Sequence, residues 1–396
     1  MPVTRVLIRD ISPARQASFD ILQAVSGGAY ASDLLRAETA SLDSRDAGLA
    51  SQIVFGCLRF KAQLDYLIFR YSGKKASSLD LPVEVALQTA IFQIRYLERI
   101  PAYAAVHDSV ELVKTHQRAA AGFVNAVLRK VNREPVRWPD PAIGLSCPEW
   151  LLARWKAHFG AEAARGIAAA ALTEPAAYLR IAPGSASPEH AELELTPVSG
   201  AYRLLSPVQT GMRLHDIGSQ ALIPLLDLQP GMSYLDLCAA PGNKTLQALE
   251  TPLRLAVACD VSWKRLREVP AICPRVVLDA TEPLPFRAEF DRVFIDAPCS
   301  GTGTLARNPE IKWRVKEQDL RRFHAKQKQI LLEAVKLLAP GGVLLYATCS
   351  LEREENEDVV REALSLHLEL KLQAELWRLP GRDPGDGFYT AVMRAC

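Results

Sequence analysis

The stretch "SYLDLCAAPGNKTLQALE", residues 233–250, decides the fold of the C-terminal half. An apolar run ends at Asp236, a tight loop of small residues follows, and beyond Gly242 apolar positions return at helical spacing. That order reads as strand, loop, helix. The pattern then repeats. "LRLAVACD" (253–260) is a strand and "SWKRLREV" (262–269) a short helix. "RVVLDA" (275–280), "DRVFIDAPCS" (291–300) and "GGVLLYATCS" (341–350) are further apolar strands, each running into a loop of polar or small residues. Alternation of β and α at this spacing implies a mostly parallel, doubly wound sheet. Ligands bind such sheets beyond the carboxyl ends of the strands.

Four aspartates sit at that edge: Asp236, Asp260, Asp279 and Asp296. Each alone reads as a turn former or helix cap; four in equivalent places point to a site. The loop Cys238–Lys244, "CAAPGNK", precedes a helix, where a closely approaching backbone turns N–H groups toward a carboxylate or phosphate. Asp260 follows Gly242 by eighteen positions, the spacing of a carboxylate that holds ribose hydroxyls. Asp279 then faces an adenine ring. The loop is neither GxGxxG nor a Walker loop, so other α/β ligands stay open at this point. Lys244 is either a solvated lysine or a partner for a cofactor carboxylate.

Two thiols lie just past strand ends, Cys299 in "DAPCSGTG" (296–303) and Cys349 in "ATCS" (347–350). The other cysteines are 57, 147, 238, 259, 273 and 396, and none forms a CxxC or CxH cluster, so a metal site has no support. A thiolate is soft enough to add to an electron-poor carbon such as C6 of a pyrimidine. Addition makes C5 nucleophilic toward an activated methyl group, and release needs loss of the C5 proton and of sulfur. Asp296, three residues before Cys299, is placed to serve as an acid at N3 if burial raises its pKa. A second thiol assists elimination. This chemistry uses two cysteines; which one attacks, spacing does not say.

The whole chain has 396 residues, enough for two or three domains, with 49% hydrophobic and 23% charged residues, an ordinary soluble composition. A formal charge of +2 requires any nucleic-acid affinity to come from a local patch. The start "MPVTRVLIRD" lacks a signal-peptide core and nothing later resembles a membrane span, so the chain is read as cytoplasmic, off the membrane and monomeric. Residues 1–144 read as all-helical, with Ser12 as N-cap, Pro13 at the first helical position, Gly73 as a stop and Pro135 ending the last helix. Residues 145–205 mix helix, short strands and turns as a connecting subdomain, and 206–396 form the α/β domain. Residues 307–328 carry eight Lys/Arg against three Asp/Glu and are expected to meet RNA phosphates; Trp313 either stacks on a base or packs.

"LDLCAAPGNKT", "DAPCSGTG" and "ATCS" together resemble the RNA (cytosine-5)-methyltransferases that use S-adenosylmethionine. "FGCLRFKAQLDYLI", "RIPAYAAVHDSVELVK" and "GFVNAVLRKV" resemble the NusB-type RNA-binding helical domain. Both in this order resemble the bacterial 16S rRNA methyltransferases of the RsmB/Sun/Fmu type, over nearly all of the chain. The resemblance implies a helical bundle, a connecting subdomain and a Rossmann-like class I methyltransferase domain. It implies S-adenosylmethionine as cofactor, with contacts along Cys238, Ala239, Ala240, Pro241, Gly242, Asn243 and Lys244, and at Asp260, Asp279 and Asp296. It implies Cys349 as nucleophile, Cys299 in product release and Asp296 at N3 of the base. The implied substrate is 16S rRNA or a small-subunit assembly intermediate, at cytosine 967 in the usual bacterial numbering. A non-enzymatic assembly factor and methylation of another RNA are the competing readings. Asn243 stands where the family usually has glycine, and His215 in "LHDIGSQ" departs from a QDxxSQ-like segment; Asn tolerates the left-handed conformation that such a loop demands.

Overall fold

A computed structural model describes residues 11–209 and 211–396; the opening "MPVTRVLIRD" lies outside them. The chain forms two compact units. One runs to Ala153 and includes Asn308–Arg314; the other is Arg154–Arg307 with Val315–Cys396. Texture suggests three stretches, whereas compactness makes one cut inside the helix Glu149–Phe159. Arg154 and Trp155 of that helix bond Glu352 of the second unit, at 2.8 and 2.9 Å, which draws its second half there.

The first unit is a helical bundle. Helix Leu81–Tyr96 is buried on nearly every face and packs with Phe19, Ile53, Leu64, Leu67, Val113 and Val124. A helix buried on nearly all sides belongs at the centre of a bundle, and each large apolar side chain there contributes roughly 1.5–3 kcal/mol by leaving water. Pro13 opens helix Pro13–Ser26 as expected, but the Ser12 hydroxyl makes no capping bond; its N–H donates to Asp108 instead. Gly73 closes helix Lys61–Ser72 at φ 73°. The last helix of the bundle, Ala121–Leu128, stops short of Pro135. Arg133 beyond it donates to the Ile94 and Leu97 carbonyls, placing a cation on the open end of helix Leu81–Tyr96.

Asn308–Arg314 is held by the same bundle. Lys312 is 1% exposed with Nζ on the Arg59 carbonyl at 2.9 Å; Trp313 Nε1 donates to the Leu58 carbonyl at 2.7 Å. The Arg314 guanidinium lies over the Tyr30 ring and donates to Gly28 and Ala29. The phosphate contacts expected across 307–328 therefore lose Lys312 and Arg314, and Trp313 packs. Charge counts along a chain do not say which way side chains turn.

In the second unit a three-stranded antiparallel sheet, β1 (Tyr178–Arg180), β2 (Leu193–Leu195) and β3 (Ala201–Leu204), has the order β1-β3-β2. The main sheet contains β4 (Ser233–Asp236), β5 (Leu255–Asp260), β6 (Arg275–Val277), β7 (Phe290–Asp296), β8 (Leu338–Thr348), β9 (Leu370–Arg378) and β10 (Phe388–Ala395). Their order is β6-β5-β4-β7-β8-β10-β9. β4 to β8 pair in parallel, and β10 runs antiparallel between β8 and β9. The interior strands read as unbroken apolar runs because both faces are covered, Leu235, Val293, Ile295 and Leu344 on one side and Tyr234, Phe294 and Leu345 on the other. Helix Glu317–Val335 buries Leu320, Ile330, Leu331, Ala334 and Val335, the stripe visible in its sequence. Among the described residues no helix is long and apolar enough to cross a membrane.

Candidate active site

The carboxyl ends of β4, β5 and β7 open on a cleft of about 230 Å³. It brings together Cys238, Ala240, Asp260, Asp279, Asp296, Cys299 and Cys349. Ala239, Pro241, Gly242, Asn243 and Lys244, expected as cofactor contacts, do not line it. Ala239 N–H donates to Cys259 O at 2.8 Å, stitching the loop to β5. Gly242 has φ 101°, and a Cβ there would stand 2.9 Å from Val269 Cγ2; only glycine makes this turn so close to the chain. Asn243 is the first residue of helix Asn243–Ala248 and has no positive φ, so the left-handed conformation falls on Gly242 alone. Asn243 instead holds Arg213 and the Leu214 carbonyl.

The four aspartates divide in role. Asp236 is fully buried, outside the cleft, and accepts from Thr245 Oγ1 at 2.7 Å and from Tyr234 and the Cys238 N–H at 3.3 Å. Burial pushes its carboxyl up to about 7, against the pull of Thr245. Asp236 thus fastens the loop. Asp260 accepts from the Ala240 N–H at 3.3 Å and the Ser262 N–H at 2.9 Å. Asp279 accepts from Thr281 N–H and hydroxyl at 3.0 and 2.7 Å, which hold it below the usual carboxylate range. Both still line the cleft, beside Val261, Leu278 and Ala280. Two carboxylates next to apolar walls suit a ribose followed by a flat heterocycle, so the donor set fits an adenosine moiety.

At the other end Cys299 Sγ and Cys349 Sγ are 3.2 Å apart, both free thiols. The hydrogen bond to Cys349, then burial, pushes the Cys299 thiol well above its ordinary value. Lys244 Nζ donates to Asp296 Oδ2 at 2.6 Å and lies 5.6 Å from the Phe388 ring centre. Burial alone would lower the lysine, but Asp296 more than offsets it and holds the ammonium above its ordinary range. Among the described residues no group of three or more His, Cys, Asp or Glu is arranged to hold a metal ion.

Arg265 and Lys326 also line the cleft and were not singled out from sequence as site residues. Arg265 donates to the Ala240 carbonyl at 3.0 Å, bracing the loop. Lys326 lies four residues before Ile330, another lining residue, and that i,i+4 spacing on one helix was the available signal.

A parallel sheet ended by an antiparallel β10 between β8 and β9, with a glycine loop after β4 and carboxylates beyond β5 and β7, defines a Rossmann-like methyltransferase. The family model described as 16S rRNA methyltransferase RsmB/F matches residues 223–394, and the NusB family model matches 12–133. Ribosomal RNA small subunit methyltransferase B of Erwinia tasmaniensis is 32% identical, covering 95% of this chain and 97% of its own. The probable ribosomal RNA small subunit methyltransferase B of Bacillus subtilis is 30% identical, covering 92% and 95%. The crystal structure of PH0851 superposes with TM-score 0.81 at 20% identity over 98% of this chain and 99% of that one, a likeness of fold. The chain belongs to the RsmB/F family of 16S rRNA methyltransferases and is an RNA methyltransferase.

Proposed function

We propose that the protein methylates C5 of a cytosine in 16S rRNA, at position 967 in the usual bacterial numbering, through a covalent bond from Cys349 to C6. The observation that carries this reading is the pair of sulfurs 3.2 Å apart in the cleft that Asp260, Asp279 and Asp296 also line. Cys238 and Ala240 of the loop, with Asp260 and Asp279, would hold S-adenosylmethionine, which would supply the electrophilic methyl group.

Cys349 sulfur adds to C6, and the electron pair of the C5–C6 bond shifts toward N3. Asp296 meets N3, and a proton relayed from the Lys244 ammonium through Asp296 offsets the charge that builds on N3; it returns to the pair when C5 takes the methyl group and the C4–N3 double bond re-forms. Once C5 is methylated its proton leaves to a base, the C5–C6 double bond re-forms, and the C6–S bond breaks with its electrons on sulfur. Cys299, whose sulfur lies 3.2 Å from that of Cys349, donates its S–H to the departing thiolate and stabilises it. In this reading residues 1–144 hold the RNA, 145–205 connect, and 206–396 carry the chemistry in the cytoplasm, the protein acting as a monomer.

Cys299→Ala incubated with unmodified 16S rRNA should accumulate a nuclease-sensitive covalent adduct on a denaturing gel. Cys349→Ala should form none and transfer no methyl group while still binding S-adenosylmethionine. Full activity in Cys349→Ala overturns the nucleophile assignment. Bisulfite sequencing of rRNA from a deletion strain reads the nucleotide, and an unchanged cytosine 967 overturns that position.

A further inference from the structure

Sheet pairing does not reach the two sulfurs. The last bond joining the ends of β7 and β8 is Ala297 N–H to Ala347 O at 2.9 Å, short of both cysteines. A buried polar knot takes over from there. Glu355, 0% exposed, accepts from the Ser300 N–H at 2.8 Å and from Gln327 Nε2 at 2.9 Å through Oε2, and from the Ser350 hydroxyl at 2.6 Å through Oε1. Ser300 directly follows Cys299, and Ser350 directly follows Cys349. Gln327 also donates to the Pro298 carbonyl at 3.0 Å, so Gln327 and Glu355 bracket Cys299. Asn356, also 0% exposed, accepts from the Thr348 hydroxyl at 2.6 Å and donates to the Ser350 carbonyl at 3.0 Å, bracketing Cys349. One carboxylate is common to both brackets.

We propose that Glu355 is a positioning residue that sets the gap between the Cys299 and Cys349 sulfurs by tying the loop after each to a single buried carboxylate. Its relevance to catalysis rests on the cysteine assignment above; the gap itself does not. A buried carboxylate with three donors is a strong, directional anchor, and a displacement of about 1 Å at reacting groups costs roughly a hundredfold in rate. Glu355→Ala removes the shared anchor and leaves the Ser300 N–H without an acceptor. Glu355→Gln keeps the shape: its amide oxygen accepts from Ser300, while its NH2 donates to a Ser350 hydroxyl turned to receive it.

The gap can be read without methylation. Phenylarsine oxide bonds two adjacent thiols, each sulfur displacing oxygen from arsenic with release of one water in all. In native protein it should bind at the pair, and Cys299→Ser and Cys349→Ser should each abolish that binding. Glu355→Ala should bind it at least tenfold more weakly and methylate RNA about a hundredfold more slowly, with S-adenosylmethionine affinity within about twofold of native. Glu355→Gln should recover both to within about threefold. If Glu355→Ala does not fold, Ser350→Ala and Gln327→Ala, each lacking one bond of the knot, should weaken arsenical binding about threefold. Native arsenical affinity in Glu355→Ala, or in both milder variants, overturns the proposal. If Cys349→Ala stays active while Glu355→Ala loses the arsenical, the nucleophile assignment fails and the positioning role stands.

Discussion

Lys244 Nζ and Asp296 Oδ2 meet at 2.6 Å, joining the helix after the β4 loop to the end of β7. The carboxylate that lines the cleft is thereby held from behind by a cation outside it. Lys244→Met leaves Asp296 without that partner. A fall of about a hundredfold in single-turnover methyl transfer is expected, equivalent to about 2.7 kcal/mol. Adduct formation in a Cys299→Ala background should slow in parallel, because the proposed proton relay to N3 acts before the methyl group moves. Unchanged adduct formation would confine Lys244 to a later step.

Gly303 is a spacer between three strand ends. Its N–H donates to the Cys349 carbonyl and its carbonyl accepts from the Gly387 N–H, each at 2.8 Å. A Cβ would stand 2.5 Å from Gly387 O and 2.8 Å from Cys349 O, both main-chain atoms with nowhere to turn. Gly303→Ala should destabilise the fold by roughly 1–3 kcal/mol and lower kcat more than tenfold, measured by calorimetry and methylation. S-adenosylmethionine affinity should hold, since Gly303 does not line the cleft.

Arg307 sits between two carboxylates, 2.6 Å from Asp216 and 2.8 Å from Asp386. Burial, then the like charge of Asp216, pushes Asp386 up to about 7 despite the arginine. A carboxyl raised in the folded state binds its proton more tightly there than when unfolded. Its contribution is complete below the unfolded value and is lost as pH rises through about 7. Arg307→Met removes the offsetting cation, so its destabilisation should be greater at pH 8 than at pH 5, about 3–5 kcal/mol at the higher value. Thermal melts at both pH values check this; equal losses would refute it.

His215, the departure from the family pattern, is buried with Nε2 3.0 Å from Ser219 Oγ. Burial, then Lys244, Arg180 and Arg213, pushes it down to about 3. A depressed folded pKa gives stability that is present above the unfolded value and lost as pH falls toward 3. His215→Gln should therefore lose less stability than native on acidification, by about 2 kcal/mol between pH 7 and pH 5. Parallel melting curves in the two proteins would count against a neutral buried imidazole.

Much of this is legible in the sequence itself. The strands β4, β5, β7 and β8 announce themselves as apolar runs closed by Asp or Thr, because buried parallel strands need apolar residues on both faces. The hairpin β9–β10 did not: "LKLQAELWR" sets Lys371, Gln373 and Glu375 among its leucines as an exposed edge strand, and its pairing exists only against β10. Within the basic run 307–328, Arg307, Lys312 and Arg314 turn onto carboxylates and carbonyls distant in sequence, which a charge count does not reveal. Asn243 misled in a different way, since the strained dihedral belongs to the glycine before it.

Local pattern alone determined the order of elements from β4 to β8 and placed Cys299 and Cys349 just beyond two strands. That these thiols, fifty positions apart, come within 3.2 Å was decided by tertiary structure. Parallel pairing sets Asp296 against Ala347, and that register brings the two following loops together. Glu355, Lys244 and Arg307 acquire their partners the same way. Side-chain periodicity specifies which face a residue occupies, but neighbouring strands and the direction of each buried charge are settled only when the whole core packs.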